Sequence, residues 1–336
     1  MKIGSHDTAS RVIVIAEIGN NHEGNLDVAQ QLVREAARCG VDAVKFQTFK
    51  AEHFVRPADT ARMAQMRRFE LKPEEFTALA RLAKSLGLLF ISTPLDLGSV
   101  NVLQPFVDCF KVASGDSNFY PLLARVADTG RPLIISTGVS DLAQVQETLR
   151  FVRQRWAQRS VSPEFAVLHC VSSYPVPDEQ ANLRSIPFLR EQLGCTIGYS
   201  DHTQGEEAVV LAVAIGAQII EKHFTLDHNF SEFRDHKVSA DPLGMRSLVQ
   251  RIRKVEGFLG VFDKKLQPCE ATVIAAIRRS VVAATDLPAG HRIESVDLMW
   301  MRPAGGLQPG EEDLLIGKVL RRAVQSGDLL SLSDAS

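Results

Sequence analysis

The chain opens on an almost unbroken run of β-branched and small apolar residues from Val12 to Ile18, and the same texture returns at intervals further along. Runs of this kind suit strands buried on both faces, as in parallel sheets, rather than the in–out alternation of a half-exposed strand. Strands are expected at Val12–Ile18, Ala43–Thr48, Leu88–Thr93, Cys109–Ala113, Leu133–Ser136, Phe165–Cys170, Thr196–Ser200 and Ile219–Phe224. Stretches of helical period lie between them. Asn25 and Asp27 open the first, which runs through Ala37 and is closed by Gly40, an asparagine cap at one end and a glycine past the other. The next runs from Pro73 to Leu86, with Glu74 and Glu75 in its first turn, where carboxylates meet the positive end of the helix dipole. Further helices are expected at Gly98–Phe106, Tyr120–Asp128, Asp141–Trp156, Ile186–Leu193, Glu206–Ile215 and Leu243–Leu259.

Eight strand–helix units within about 260 residues predict an α/β fold of the (β/α)8 TIM-barrel type. An open doubly wound sheet is the runner-up, but no Gly-rich dinucleotide fingerprint follows the first strand. After Gly260 the pattern changes. Residues 261–276 read as a linker carrying Lys264, Lys265 and Pro268. Residues 277–336 read as a small, mostly β module, with short segments at Ser280–Ala283, Leu298–Met301 and Val319–Val324 separated by Pro/Gly turns. A module of that size is small to stand alone.

Composition narrows the function classes. A formal net charge of -2 leaves no electrostatic footprint for nucleic acid or an anionic membrane. Met1–Ser10 is polar and lacks a signal peptide's basic start and apolar run. No stretch approaches the roughly 18 apolar residues of a membrane span. The five cysteines (Cys39, Cys109, Cys170, Cys195, Cys269) are odd in number and scattered without a CxxC pair. They predict reduced thiols and a cytoplasmic protein rather than a disulfide frame or a structural zinc site.

In a barrel, catalytic groups gather at the C-terminal ends of the strands. Every predicted strand carries polar groups there, an arrangement too costly to bury without purpose. Lys45 and Lys111, with the hydroxyls of Ser114, Ser136 and Ser200, suit a compact polyanion bearing phosphate and carboxylate together; the competing reading is that each lysine is paired with a neighbouring carboxylate. His202 and His223 end adjacent strands and could converge on a divalent ion, with Asp235 behind a metal-bound water. The absence of a thiolate from that set favours a borderline-hard ion, manganese or magnesium. Glu17, Glu221 and Asp116 could hold sugar hydroxyls or act as acid and base, and Tyr174 could stack on a sugar. Cys170 and His169 are strand neighbours that point to opposite faces, so they form no dyad.

Ala16–Gly24 (Ala-Glu-Ile-Gly-Asn-Asn-His-Glu-Gly), Val44–Thr48, Phe110–Asp116, Ser136–Gly138, Gly198–Thr203, Glu221–Thr225 and Asp235–Lys237 together resemble the sialic acid synthase family, including its legionaminic and pseudaminic acid members. The motifs occur in the family's order along nearly the whole chain, and the C-terminal module resembles the antifreeze-like (SAF) domain of such enzymes. The resemblance implies condensation of phosphoenolpyruvate with an N-acyl amino sugar. Lys45, Lys111, Ser114, Ser136, Ser172 and Ser200 would hold phosphoenolpyruvate, although a bacterial sialic acid synthase has asparagine where this chain has Ser172. His202 and His223 would hold a metal that polarises the sugar aldehyde. Glu17, Gln47, Thr93, Glu221 and Asp235 match further active-site positions. Asp116 and Tyr174 match amino-sugar contacts, Asp116 being one methylene shorter than the glutamate associated with N-acetylmannosamine. The resemblance also implies a domain-swapped homodimer, with Arg302 reaching the sugar's N-acyl group of the other subunit. Two loops depart from the family pattern: the stretch between Phe54 and Phe76 has no matching sugar-binding asparagine, and the loop after Thr225 lacks Pro-Gly-Pro. Both bear on which sugar fits.

Rival readings are an octulosonate or heptulosonate phosphate synthase, a non-catalytic carbohydrate-binding barrel and a metal-dependent aldolase. The first needs a basic pocket for a sugar phosphate and predicts no SAF module. The second has no use for a histidine pair. The third takes free pyruvate, whereas two lysines with three serines favour its enol phosphate.

Overall fold

The computed structural model describes all residues from Met1 to Ser336, which form two compact units, Met1–Gly260 and Val261–Ser336. The first is a TIM barrel. Its strands are β1 (Ile13–Gly19), β2 (Ala43–Thr48), β3 (Leu89–Pro94), β4 (Cys109–Val112), β5 (Leu133–Ser136), β6 (Phe165–Cys170), β7 (Thr196–Asp201) and β8 (Ile219–His223). They pair in parallel in sequence order, and β8 returns to β1 to close the ring. The covering helices are α1 (Leu26–Cys39), α2 (Pro73–Ser85), α3 (Leu97–Leu103), α4 (Tyr120–Ala127), α5 (Leu142–Gln158), α6 (Ser185–Leu193), α7 (Glu207–Ala214) and α8 (Pro242–Leu259). The sequence places these elements well, although α3 ends at Leu103 rather than Phe106.

Local chemistry sets the boundaries. Asn25 caps α1 by accepting from the backbone N–H groups of Asp27 and Val28, and Gly40 ends it in the left-handed region. Asp96, Asp141 and Asp241 cap α3, α5 and α8 in the same way.

Two apolar layers hold the barrel. The outer one packs helices onto strands through residues such as Leu32, Phe46, Phe76, Phe90, Phe110 and Leu248. The inner one fills the lumen with Ile13, Ile15, Ala43, Leu89, Ile91, Cys109, Ile134, Ala166, Leu168 and Ile219. A two-stranded ladder, Lys2–Ile3 with His6–Asp7, brings Ile3 and Met1 against this inner layer and plugs the barrel's N-terminal end. The lower part of the lumen is therefore a packed apolar column, closed at the N-terminal ends of the strands.

Among the elements not expected from the sequence, one bears on the site. Within the Phe54–Phe76 stretch, a helix runs from Thr60 to Phe69, capped by Asp59, with Met63, Met66 and Phe69 buried. These three pack with Phe49, Ala51, Val55 and Leu95 in a small separate cluster.

The second unit is irregular. β9 (Ser280–Ala283) and β10 (Leu298–Met301) pair antiparallel around a core that includes Val281, Ile293, Leu315 and Leu330. The strand expected at Val319–Val324 does not form. Val319, Leu320 and Val324 each bridge a different partner, Arg292, Ala335 and Leu287, so no continuous ladder exists.

Candidate active site

Strand periodicity sorts the polar residues. The lumen-filling positions of β1, β2, β3, β4, β5, β6 and β8 include Ile15, Ala43, Ile91, Cys109, Ile134, Leu168 and Ile219. Because successive strand residues point to opposite faces, the same face continues two and four residues later. It therefore carries Glu17, Lys45, Gln47, Thr93, Lys111, Ser136, Cys170, Glu221 and His223. Ser200 joins them from β7, hydrogen-bonded to Glu221 at 2.9 Å.

Charged groups interlock at this level. Lys45 Nζ lies 3.0 Å from Glu17 and 3.5 Å from Glu221, and Lys111 Nζ lies 3.9 Å from Glu221. β4 and β8 stand on opposite sides of the ring, so the last contact crosses the lumen. Lys45 also donates to Thr93 at 3.3 Å, and Gln47 donates to Glu17 at 3.4 Å while accepting from Asn20 at 2.8 Å. The lysines are thus not simply free cations. Each has a carboxylate in reach, and Lys111 is the less tightly engaged.

Burial raises both carboxylates, and their unequal lysine contacts set them apart. Burial pushes Glu17 up, and Glu221 adds to the rise by repulsion, while Lys45 only partly opposes it. For Glu221 burial again pushes upward, but Lys111 and Lys45 outweigh it and hold the group below its ordinary range. Lys111 is lowered by burial, and Lys45 is raised by its two carboxylates despite burial. A pair of carboxyls with divided proton affinities is suited to separate roles, one as proton carrier and one as fixed negative charge.

Beside Lys111 the loops after β4, β5 and β6 meet. Ser114 Oγ accepts from the backbone N–H of Gly138 at 3.0 Å. A Cβ on Gly138 would lie 2.2 Å from Ser172 Oγ and 2.8 Å from Ser114 Oγ, so only glycine leaves room there. The buried Ser136 hydroxyl has no hydrogen-bond partner. This is a concave cluster of short donors next to a buried cation, a form that fits a small anion.

Above it stand two imidazoles, with the ring centroids of His202 and His223 5.4 Å apart. His202 Nδ1 lies 2.9 Å from the Val171 carbonyl, which leaves Nε2 as the available nitrogen. Burial holds His223 neutral, its pKa well below the usual value, and its Nδ1 is buried without a partner 4.0 Å from Asp235. These features suit a divalent ion. No group of three or more His, Cys, Asp or Glu side chains is placed to hold one, so an ion here would depend on the two imidazoles and on water or substrate. Cys170, whose dyad with His169 was discounted from the sequence, instead places its sulfur 3.8 Å from His202 Nδ1.

The site opens into a cavity of about 850 Å3 lined by Gln47, His223, Tyr174 and Asp235 among others. Tyr174 packs on His202 at 4.1 Å between ring centroids, and the Arg234 guanidinium lies 4.8 Å over its ring. Asp116 is in the turn after β4 rather than in this lining; burial raises its pKa against the pull of Lys111. Asn20, from the Ala16–Gly24 motif, also lines the cavity, and so do Arg62, Gln65, Phe233 and Arg234, which the sequence did not single out. The Asp59 cap and the three-residue spacing of Met63, Met66 and Phe69 were the available signals for Arg62 and Gln65.

Some polar residues near the strand ends lie elsewhere. Lys222 points outward to the fully buried Asp201 at 2.6 Å, and Tyr199 donates to the same carboxylate. His169 also faces outward, stacked on Tyr199 and bonded to the Ala181 carbonyl. Arg302 belongs to the second unit, just after β10.

The chain is similar to known proteins along most of its length. The NeuB family model matches residues 32–264 and the SAF domain model residues 278–335. An uncharacterized protein of Methanocaldococcus jannaschii is 40% identical over 96% of this chain and 94% of its own. The N,N'-diacetyllegionaminic acid synthase of Legionella pneumophila is 38% identical over 94% of this chain and 92% of its own. The crystal structure of N-acetylneuraminic acid synthetase from Leptospira borgpetersenii, in complex with citrate, superposes with a TM-score of 0.76 at 32% identity, covering 82% of this chain and 94% of that one. From its sequence, its barrel and its C-terminal module, the chain belongs to the NeuB family, that of the sialic acid synthases, and carries an SAF domain.

Proposed function

We propose that this protein condenses phosphoenolpyruvate with an N-acyl amino sugar, N-acetylmannosamine or a 2,4-diacetamido-2,4,6-trideoxyhexose, to give a nine-carbon 2-keto-3-deoxy acid and phosphate. The observation that carries the reading is the packed charged layer of Lys45, Lys111, Glu17 and Glu221 beneath a histidine pair, beside an anion-sized cluster of hydroxyls. Phosphoenolpyruvate takes its phosphate to Lys111, Ser114, Ser136, Ser172 and the bare Gly138 backbone, and its carboxylate towards Lys45 and Ser200. The sugar lies in the cavity beyond, against Tyr174, with Asp116 at its margin.

C3 of phosphoenolpyruvate attacks the aldehyde carbon of the open-chain sugar, and positive charge develops at C2. Glu221, which stays ionised, is the counter-charge for that carbon. Water then adds at C2. Glu17, the less acidic carboxyl, takes the water's proton, and the same proton balances the new alkoxide at the former aldehyde. Cleavage of the bond between C2 and the phosphate's bridging oxygen then releases phosphate, which takes up the remaining hydroxyl proton, and leaves the ketone. Gln47 and Thr93 orient Glu17 and Lys45 through their hydrogen bonds. A divalent ion, manganese first and magnesium or cobalt next, would be held by His202 and His223 with Asp235 behind, and would supply Lewis-acid polarisation of the aldehyde.

The protein is further proposed to work as a domain-swapped homodimer, Arg302 of one copy meeting the sugar bound by the other. A cytoplasmic location suits its five free thiols. Phosphate release from phosphoenolpyruvate, measured across a panel of N-acyl amino sugars, tests the reading. Release with at least one sugar supports it, and no release with any of them, in the presence of manganese, rejects it.

A further inference from the structure

Two walls of the cavity come from distant parts of the chain. One is the helix Thr60–Phe69, which contributes Arg62, Gln65 and Met66. The other is the segment 232–235, which contributes Glu232, Phe233, Arg234 and Asp235. Neither wall belongs to the barrel frame, so something must set the gap between them.

Glu23 touches both. Arg68, at the end of the helix, donates to Glu23 Oε2 at 2.9 Å. Ser231, at the edge of the other wall, donates to Oε1, and its hydroxyl in turn accepts from the backbone N–H of Phe233 at 3.0 Å. His236 Nε2 lies 3.5 Å from the same Oε1. The carboxylate is largely shielded, with 14% of its side chain exposed, while the Arg68 side chain is 62% exposed, so the ion pair is open to solvent and the Ser231 contact is the more sheltered.

The backbone is committed to this placement. Glu23 has a positive φ of 46°, an unfavourable conformation for a residue with a side chain. Gly24 follows at φ +81°, and a Cβ there would lie 1.9 Å from the Arg68 carbonyl oxygen. The loop after β1 is therefore pressed backbone to backbone against the end of the helix. Phe69 and Phe233 complete the join, edge to face at 5.0 Å.

We infer that Glu23 is a positioning residue for the sugar acceptor: a clamp that fixes the spacing of the two cavity walls without lining the cavity itself. The inference rests on the reading of this cavity as the acceptor site. Phosphoenolpyruvate, seated among Lys45, Lys111 and the serines, depends on barrel strands that Glu23 does not touch. Loss of the clamp therefore loosens acceptor binding and leaves the donor site as it was.

The test compares Glu23→Ala and Glu23→Gln with the unaltered enzyme by steady-state kinetics, varying each substrate in turn. Glu23→Ala should raise the acceptor KM roughly tenfold or more, with the phosphoenolpyruvate KM and kcat changed by less than about threefold. Glu23→Gln keeps an accepting oxygen and should recover part of the loss. Arg68→Gln added to Glu23→Ala should cost little more, because both remove one contact. An unchanged acceptor KM, or parallel rises in both KM values, overturns the inference. A second measurement needs no turnover. Hydrogen exchange in Glu23→Gln should quicken in residues 60–69 and 231–238 together and stay unchanged in β2 and β4; exchange unchanged in both walls overturns the clamp. If the unaltered enzyme turns over no sugar, the functional reading fails, and exchange still decides the clamp.

Discussion

Lys45 and Glu17, on adjacent barrel strands, form a fully buried ion pair at 3.0 Å, and Glu221 approaches the same ammonium at 3.5 Å. Removing Lys45 leaves two buried carboxylates facing each other with only the more distant Lys111 to offset them. Lys45→Met should therefore destabilise the fold by about 3–5 kcal/mol. Urea unfolding measures this, and a midpoint equal to that of the unaltered protein would mean that Lys45 is not needed to balance the pair.

Lys111 is held more loosely, and its loss leaves Glu221 still paired with Lys45. Lys111→Ala should be much milder for stability but should raise the phosphoenolpyruvate KM. A lost charge-assisted contact costs about 1.5–3 kcal/mol, roughly one to two decades in affinity. Initial rates at limiting phosphoenolpyruvate give the answer, and unchanged kinetics would remove Lys111 from the donor site.

Gly138 is predicted to be intolerant of even a methyl group. Gly138→Ala drives a Cβ into Ser172 and Ser114 and should weaken phosphoenolpyruvate binding by about tenfold or more, with the serines pushed out of place. Ser172→Ala removes the nearer oxygen, so Gly138→Ala should cost less in that background. Equal costs in the two backgrounds, measured by titration calorimetry, would show that the clash is relieved in another way.

Chelation addresses the histidine pair. Prolonged dialysis against EDTA should abolish turnover, and manganese should restore it. Full activity in a preparation shown by elemental analysis to be free of divalent metal would refute the proposed ion.

His22 makes stability depend on pH. Burial lowers its pKa to about 4, against an ordinary value near 6.5, so the folded state binds its proton less readily than the unfolded chain. Its contribution is complete above about pH 6.5 and is lost as pH falls towards 4, up to about 3 kcal/mol. The difference in unfolding free energy between the unaltered protein and His22→Gln should shrink across that window. A difference that is constant with pH would contradict the assignment.

Capping in trans is tested by mixing Lys111→Ala and Arg302→Ala chains under conditions of verified subunit exchange. Activity should return, because some heterodimers carry one site with both defects and one with neither. Persistent inactivity after exchange would mean that Arg302 does not act across a dimer.

Much of this architecture was legible because parallel strands announce themselves as apolar runs and because the residues at their ends are chemically conspicuous. Run length alone did not reveal facing. Glu221, Lys222 and His223 look equivalent in sequence, yet Lys222 pairs outward with Asp201 while its neighbours face the lumen. The helix Thr60–Phe69 escaped notice because its buried side consists only of Met63, Met66 and Phe69, too thin a stripe to stand out from an arginine-rich background. The expected Val319–Val324 strand failed for another reason: Leu320 and Val324 fill a core, but Val319, Leu320 and Val324 each bridge a different partner.

The two-residue phase of the barrel strands also sets which genetic changes the gene can absorb. Exchange of one lumen residue for another alters one contact. Deletion of the codon for Cys109 or Phe110 shifts everything after it by one place, turning Lys111 towards the helices and its aliphatic neighbour Val112 towards the lumen. Variation in chain length is thus barred from the strands and diverted to the loops at their ends.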